Sequence, residues 1–209
     1  MKLILDTTSK NMSIILAENG EVRASKMVTD AKHQQHLLPE LENLLLSKDL
    51  TIKDLDEYAV VVGPGSFTGI RLGIATIKAL CIVFDNKKAY PINMLELLLS
   101  KTPSAKHSAV LIKCTSSKVY LGYIDGGKVK TLTLENDKAL DFVDEKTLTP
   151  YAFDFDTLCD RKIQDITLSP QDFVDFCEGK KGISGKALEP IYMALSQAEE
   201  ELKKKEKND

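Results

Sequence analysis

Apolar positions in this chain recur first at the spacing of a strand and then at that of a helix. Leu3-Ile4-Leu5 is a short continuous apolar run, as expected of a strand covered on both faces. A second run follows at residues 12–17 and a return run at 21–28. Glu18-Asn19-Gly20-Glu21 separates them, and its Asn-Gly step predicts a tight hairpin because both residues tolerate positive φ. Between the first two runs lies a polar, hydroxyl-rich turn, Asp6-Thr7-Thr8-Ser9-Lys10-Asn11. The period then lengthens. Leu37, Leu38, Leu41, Leu44 and Leu45 form a helical stripe, and Pro39 predicts a helix that starts near His36 or bends there. A β-branched run at 58–62 ends at Gly63-Pro64-Gly65; a second helix from Thr68 to Phe84, a strand at 89–92 and a short helix at 94–99 follow.

The polar stretch 101–106 marks a boundary between lobes: an N-terminal lobe over 1–100, a smaller C-terminal lobe over 101–195 and a charged tail over 196–209. The second lobe opens with another strand meander (109–112, 118–124 and 128–134), its second turn signalled by Asp125-Gly126-Gly127. No sequence repeat links the two lobes; only the order of elements recurs. After Ala139 the pattern weakens until 171–178, where Ser169-Pro170 supplies a cap and a first-turn proline. The lysine-rich tail reads as a solvated helix fraying into disorder. Strands alternating with helices in two units define an α/β chain.

Composition narrows the function classes. With 43% hydrophobic and 28% charged residues the chain is globular, and a net charge of −3 gives no field to gather a polyanion unaided. The four cysteines form no C-x-x-C pair, which points to reduced, buried thiols in a cytosolic protein. The opening residues turn polar too early for a signal-peptide core, and no run reaches the roughly 18–20 apolar residues of a membrane span. These features predict a cytoplasmic chain without membrane contact.

The most informative segment is Gly63-Pro64-Gly65-Ser66-Phe67-Thr68-Gly69-Ile70-Arg71-Leu72-Gly73. A glycine-rich turn between strand and helix either offers backbone N–H groups to an anion or is a structural turn. It lacks the Gly-Lys-Ser/Thr ending of a P-loop and the spacing of a nucleophile elbow. The helix after it is apolar on nearly every face, so it demands cover on a second side. Gly69, Gly73 and Thr76 share one face and predict a notch for another protein's helix; burial by the chain's own lobes is the competing reading. His33 and His36 are three apart, not the four of a helical zinc pair, and read as surface and capping residues; no metal is expected. Asp6, with Thr7 and Thr8, is a candidate nucleotide contact or a simple Asx turn.

Leu5-Asp6-Thr7-Thr8, the His33…Leu37-Leu38-Pro39 segment and above all the eleven-residue glycine motif resemble the TsaB (YeaZ) family, strongly over about residues 1–100 and thinly beyond, where Val119-Tyr120 and Pro190-Ile191-Tyr192 look like family remnants. The resemblance implies an actin/Hsp70-like (ribonuclease H-like) fold of two related lobes. It implies a subunit without catalysis of its own that pairs with the catalytic paralogue TsaD, alongside the ATPase TsaE, to place threonylcarbamoyl on the adenosine beside the anticodon of tRNAs reading codons that begin with A. It further implies homodimers in isolation, tRNA contact only through the complex, and no cofactor on the chain alone, with ADP or ATP at the TsaD contact. The implied interface is Phe67, Gly69, Ile70, Arg71, Leu72, Gly73 and Thr76 with Leu37, Leu41 and Leu44; Asp6, Thr7 and Thr8 would be a vestigial nucleotide site. Lys113-Cys114-Thr115 and Lys118 depart from the family pattern. The alternative is a free-standing nucleotide-dependent kinase or transferase of the same fold, needing a second phosphate loop for which Gly182-Ile183-Ser184-Gly185-Lys186 is the one candidate.

Overall fold

The computed structural model describes residues 1–29, 32–84, 87–155 and 157–194, so the predicted charged tail lies outside the described residues. Strands β1 (Lys2–Asp6), β2 (Met12–Glu18) and β3 (Glu21–Val28) form the first meander, then come α1 (His33–Leu46), β4 (Glu57–Gly63), α2 (Phe67–Val83), β5 (Lys88–Asn93) and α3 (Met94–Lys101). The second unit runs β6 (Ser108–Lys113), β7 (Lys118–Asp125), β8 (Lys128–Glu135), α4 (Asn136–Glu145) and β9 (Thr149–Phe153). A small hairpin, β10 (Thr157–Leu158) and β11 (Arg161–Lys162), leads to β12 (Gln164–Asp165), α5 (Pro170–Cys177) and β13 (Ile183–Ser184).

The two sheets repeat one wiring plan. Their strand orders are β13-β5-β4-β1-β2-β3 and β12-β9-β6-β7-β8. In each, the first strand pairs antiparallel with the next and parallel with the strand after the first helix: β1 with β2 and β4, β6 with β7 and β9. In the first lobe the 17-residue α2 links β4 to β5; in the second, among the described residues, only the β10–β11 hairpin stands between β9 and β12. Both predicted turns are tight and left-handed, with φ of +53° and +80° at Asn19 and Gly20 and +56° and +74° at Gly126 and Gly127.

Three apolar layers hold the molecule. One face of the first sheet (Leu3, Leu5, Ile14, Val60) meets α1 through Leu37, Leu41 and Leu45 and α2 through Ile70, Ile74 and Ile77. The other face (Ile4, Ile15, Ala59, Val61) joins Val110, Ile112 and Tyr120 of the second sheet in one continuous core that includes α5 and encloses α3. The second sheet's outer face packs on α4 through Ala139 and Val143. The helix enclosed on nearly all sides is therefore α3, whose Met94, Leu95, Leu97, Leu98 and Leu99 are all buried.

Several expectations change. Helix α1 begins at His33, and Pro39 sits inside it rather than at its start. Helix α4 was weak in sequence because only two of its ten residues are buried. After β12 the chain returns to the first sheet: α5 packs on β2, β3 and β5, and β13 pairs with the edge of β5. The second sheet starts at Ser108, and residues 170–188, predicted as part of the C-terminal lobe, pack against the first sheet. All four thiols are free. Cys81 and Cys177 are buried, and burial pushes the Cys177 thiol up to about 11, whereas Cys114 is half-buried and Cys159 exposed.

Candidate partner-docking face and interlobe cleft

The glycine motif is a socket for the β1–β2 turn. A Cβ on Gly69 would lie 1.8 Å from the Thr7 carbonyl oxygen, one on Gly65 would lie 2.6 Å from that of Thr8, and one on Gly73 would lie 2.6 Å from Thr7 Oγ1. Hydrogen bonds fasten the same surfaces: the Ser66 amide donates to Thr8 O at 2.8 Å and Thr7 Oγ1 to Gly69 O at 2.6 Å. His33 braces the turn from the start of α1, its Nδ1 lying 3.2 Å from Thr7 O and its Nε2 3.3 Å from Lys10 O. The Gly69–Gly73 face therefore points into the molecule. It is not a notch for a partner's helix, because the chain's own turn already fills it.

The same turn uses up the acidic group. Asp6 Oδ1 accepts from the Thr8 amide and from Thr8 Oγ1, both at 2.8 Å, and Oδ2 accepts from Ser9 Oγ at 2.7 Å. Burial pushes the Asp6 carboxyl above its ordinary value, and the charge of Asp154 adds to the effect. The geometry is the Asx turn that was the competing reading. Of the three candidate nucleotide contacts, Asp6 and Thr7 are consumed inside the turn, and Thr8 borders the cleft.

That cleft, about 910 Å³, separates the lobes. Residues 64–69 and the β1–β2 turn, with Lys10 and His33, line one wall; Ile112, Lys113, Tyr120, Phe153 and Asp154 line the other, with Met94 between them. The Lys10 amide donates across it to Asp154 Oδ2 at 3.3 Å. Residues 182–186 lie elsewhere. They form β13 and a turn on α2, with Gly182 against Lys88 and Tyr90 and Gly185 against Cys81, so they are not a phosphate loop on this cleft. Among the described residues no group of three or more His, Cys, Asp or Glu side chains is placed to hold a metal ion.

Of the predicted interface residues, Leu37, Leu41, Gly69, Ile70 and Gly73 are buried inside the chain. Leu44, Phe67, Leu72 and Thr76 are half-buried and Arg71 is exposed. The outward stripe of α2 follows helical spacing through Thr68, Arg71, Ala75, Ala79 and Ile82. Ile82 (57%) on this stripe and Val83 (69%) beside it are exposed large apolar side chains, and α1 exposes two of its own, Leu38 (62%) and Leu46 (62%). Sequence reasoning chose the wrong register of small residues. The pair at four-residue spacing that faces outward is Ala75 and Ala79, while the glycines face in.

Sequence reasoning also missed the cover over the start of α2. The Ile191 amide donates to Val62 O at 2.8 Å, and the Tyr192 ring stacks on Phe67 with centroids 5.0 Å apart. Arg71 Nε donates to the Tyr192 hydroxyl at 3.0 Å. The signal available was Pro190-Ile191-Tyr192, noticed without an assigned place.

The family model described as TsaD, tRNA N6-adenosine threonylcarbamoyltransferase, matches residues 23–151, more than half of the chain. This chain belongs to that family, in its TsaB (YeaZ) branch. It is 25% identical to the tRNA threonylcarbamoyladenosine biosynthesis protein TsaB of Haemophilus influenzae over 71% of this chain and 64% of the relative. It is 32% identical to TsaB of Escherichia coli over 38% of this chain and 35% of that protein. The matches thus span about a third to just under two thirds of these relatives' own lengths. YeaZ from Pseudomonas aeruginosa superposes with a TM-score of 0.68 at 20% identity, covering 91% of this chain and 98% of that one. A second solved chain, described as similar to peptidase YEAZ from the same organism, gives 0.70 at 20% identity, covering 92% and 99%. With the repeated sheet wiring, these superpositions show a two-lobed fold shared with YeaZ. No helix among the described residues is long and apolar enough to cross a membrane.

Proposed function

We propose that this chain is a docking subunit, without catalysis of its own, in the assembly that forms N6-threonylcarbamoyladenosine in tRNA. It pairs with a TsaD-like catalytic paralogue through the outer faces of α1 and α2. The observation that carries the reading is the outward stripe of α2, Ala75, Ala79 and Ile82 with Val83: apolar at helical spacing, and low enough in side-chain bulk at Ala75 and Ala79 for another helix to approach, while α1 exposes Leu38 and Leu46. The internal use of the Asp6 carboxylate supports a partner's rather than this chain's chemistry, and the net charge of −3 supports tRNA contact only through the complex. The same stripe serves a homodimer when the partner is absent. A TsaE-like ATPase completes the assembly, and any ADP or ATP is held at the paralogue contact rather than by this chain alone.

The test is Ala75→Arg, an exposed position where the isolated fold tolerates a long charged side chain. Co-purification with the TsaD-like paralogue is expected to weaken at least tenfold, with tRNA modification falling in parallel and the melting temperature of the isolated chain unchanged. Wild-type pairing and modification by this variant would overturn the reading. Ile70→Glu is no substitute, since Ile70 is buried and its replacement unfolds the lobe.

A further inference from the structure

Residues 185–194 cross from one lobe to the other, touching the far end of α2, the glycine motif at its start and β8 of the second lobe in turn. The crossing starts on α2, where Gly185 sits so close to Cys81 that an added Cβ would lie 2.4 Å from its Cβ. It passes over the glycine motif, where Gly63, at φ +121°, leaves room for the Ile191 carbonyl oxygen 2.6 Å from where a Cβ would be. Tyr192 then stacks on Phe67 and accepts from Arg71 at the first turn of α2. The crossing ends on the second lobe, where Thr133 Oγ1 donates to Met193 O at 2.7 Å. Thr133 stands opposite Tyr120 in the β7–β8 register, and both Tyr120 and Ala194 line the cleft.

We propose that residues 185–194 are a strap that ties the docking end of α2 to the second lobe, so that a partner seated on α2 sets how far the interlobe cleft opens. This rests on the docking reading above and extends it to the cleft. Physically, the strap is short and fixed at both ends by buried or hydrogen-bonded groups. Tyr192 is 42% exposed beside Arg71, on the border of the outward stripe, where a docked helix would reach its ring. Displacing that ring pulls on Met193, whose grip on Thr133 is one residue away. Cleft opening and docking then share one element with two attachments, the physical requirement for coupling between sites.

Hydrogen exchange on the full chain, alone and co-purified with the TsaD-like paralogue, tests this. In the free chain, Thr133→Val and Tyr192→Phe are expected to speed exchange at least fivefold both in residues 63–69 and in β8, with the α4 layer unchanged. Tyr192→Phe keeps the ring stack, so it reads the Arg71 bond without removing the packing. In the complex, β8 of the wild type is expected to exchange more slowly than in the free chain, and Thr133→Val is expected to abolish that slowing while α2 stays protected. A change confined to residues 190–194 would overturn the strap. So would equal β8 protection in wild type and Thr133→Val. Failure of the wild type to pair at all would instead overturn the docking reading, leaving the free-chain comparison to decide whether the strap ties the lobes.

Discussion

At the residue scale the most constrained position is Gly69, where a methyl group would land on a backbone oxygen rather than on the end of a mobile side chain. The Thr7 carbonyl cannot rotate away without breaking the turn that the Thr7 hydroxyl and His33 hold. Gly69→Ala is expected to destabilise the chain by about 3 kcal/mol or more, the upper range for overpacking, as measured by urea unfolding. Gly73→Ala meets the Thr7 Oγ1 and Val60 side chains instead and is expected to cost less. The glycines were legible in the sequence; what they face was not. Small residues at helical spacing fit a partner's helix and an internal turn equally well, and only the position of residues 7 and 8 in space decides between them.

At the element scale, what could be read depended on whether an element carries its own signals. Helix α5 was readable because Ser169 and Asp172 form a reciprocal cap with Pro170 in the first turn. Helix α3 was found but its role was not, because eight residues do not show whether one sheet or two will cover them. Asp172 also accepts from Lys101 on α3 at 2.7 Å, so the cap doubles as a contact between helices. Burial alone would raise the Asp172 carboxyl, but the bonds from Lys101 and Ser169 together hold it below 3.8. A depressed acid stabilises the fold above its unfolded value and loses that contribution as pH falls through its folded one. Asp172→Asn is therefore expected to cost about 1 kcal/mol near neutral pH. In urea titrations the gap from wild type should stay open down to about 3.8 and close below it.

At the scale of the whole molecule, two lobes share one interior. Residues of both sheets, α3 and α5 meet in a single apolar cluster, so neither lobe has a complete core without the other. Calorimetry is expected to show one transition, with calorimetric and van't Hoff enthalpies in agreement. Leu98→Ala, at the centre of that interior, is expected to lower the stability of the entire chain by about 3 kcal/mol rather than melting one lobe first. The repeated order of elements was legible from the two meanders and their glycine turns. The shared interior was not, because an apolar run announces that it will be covered without saying by what.

The pairing of β13 with β5 has a consequence for how the protein is made. The first sheet takes its last strand from Ile183 and Ser184, some ninety positions after β5, so the lobe that leaves the ribosome first is among the last to be finished. Until then the outer edge of β5 has no neighbour, and the flank of α2 around Cys81 lacks Gly185 and the segment that follows. At typical synthesis rates of about 5–20 residues per second this open edge persists for several seconds. During translation that unpaired edge is open to pairing with another chain.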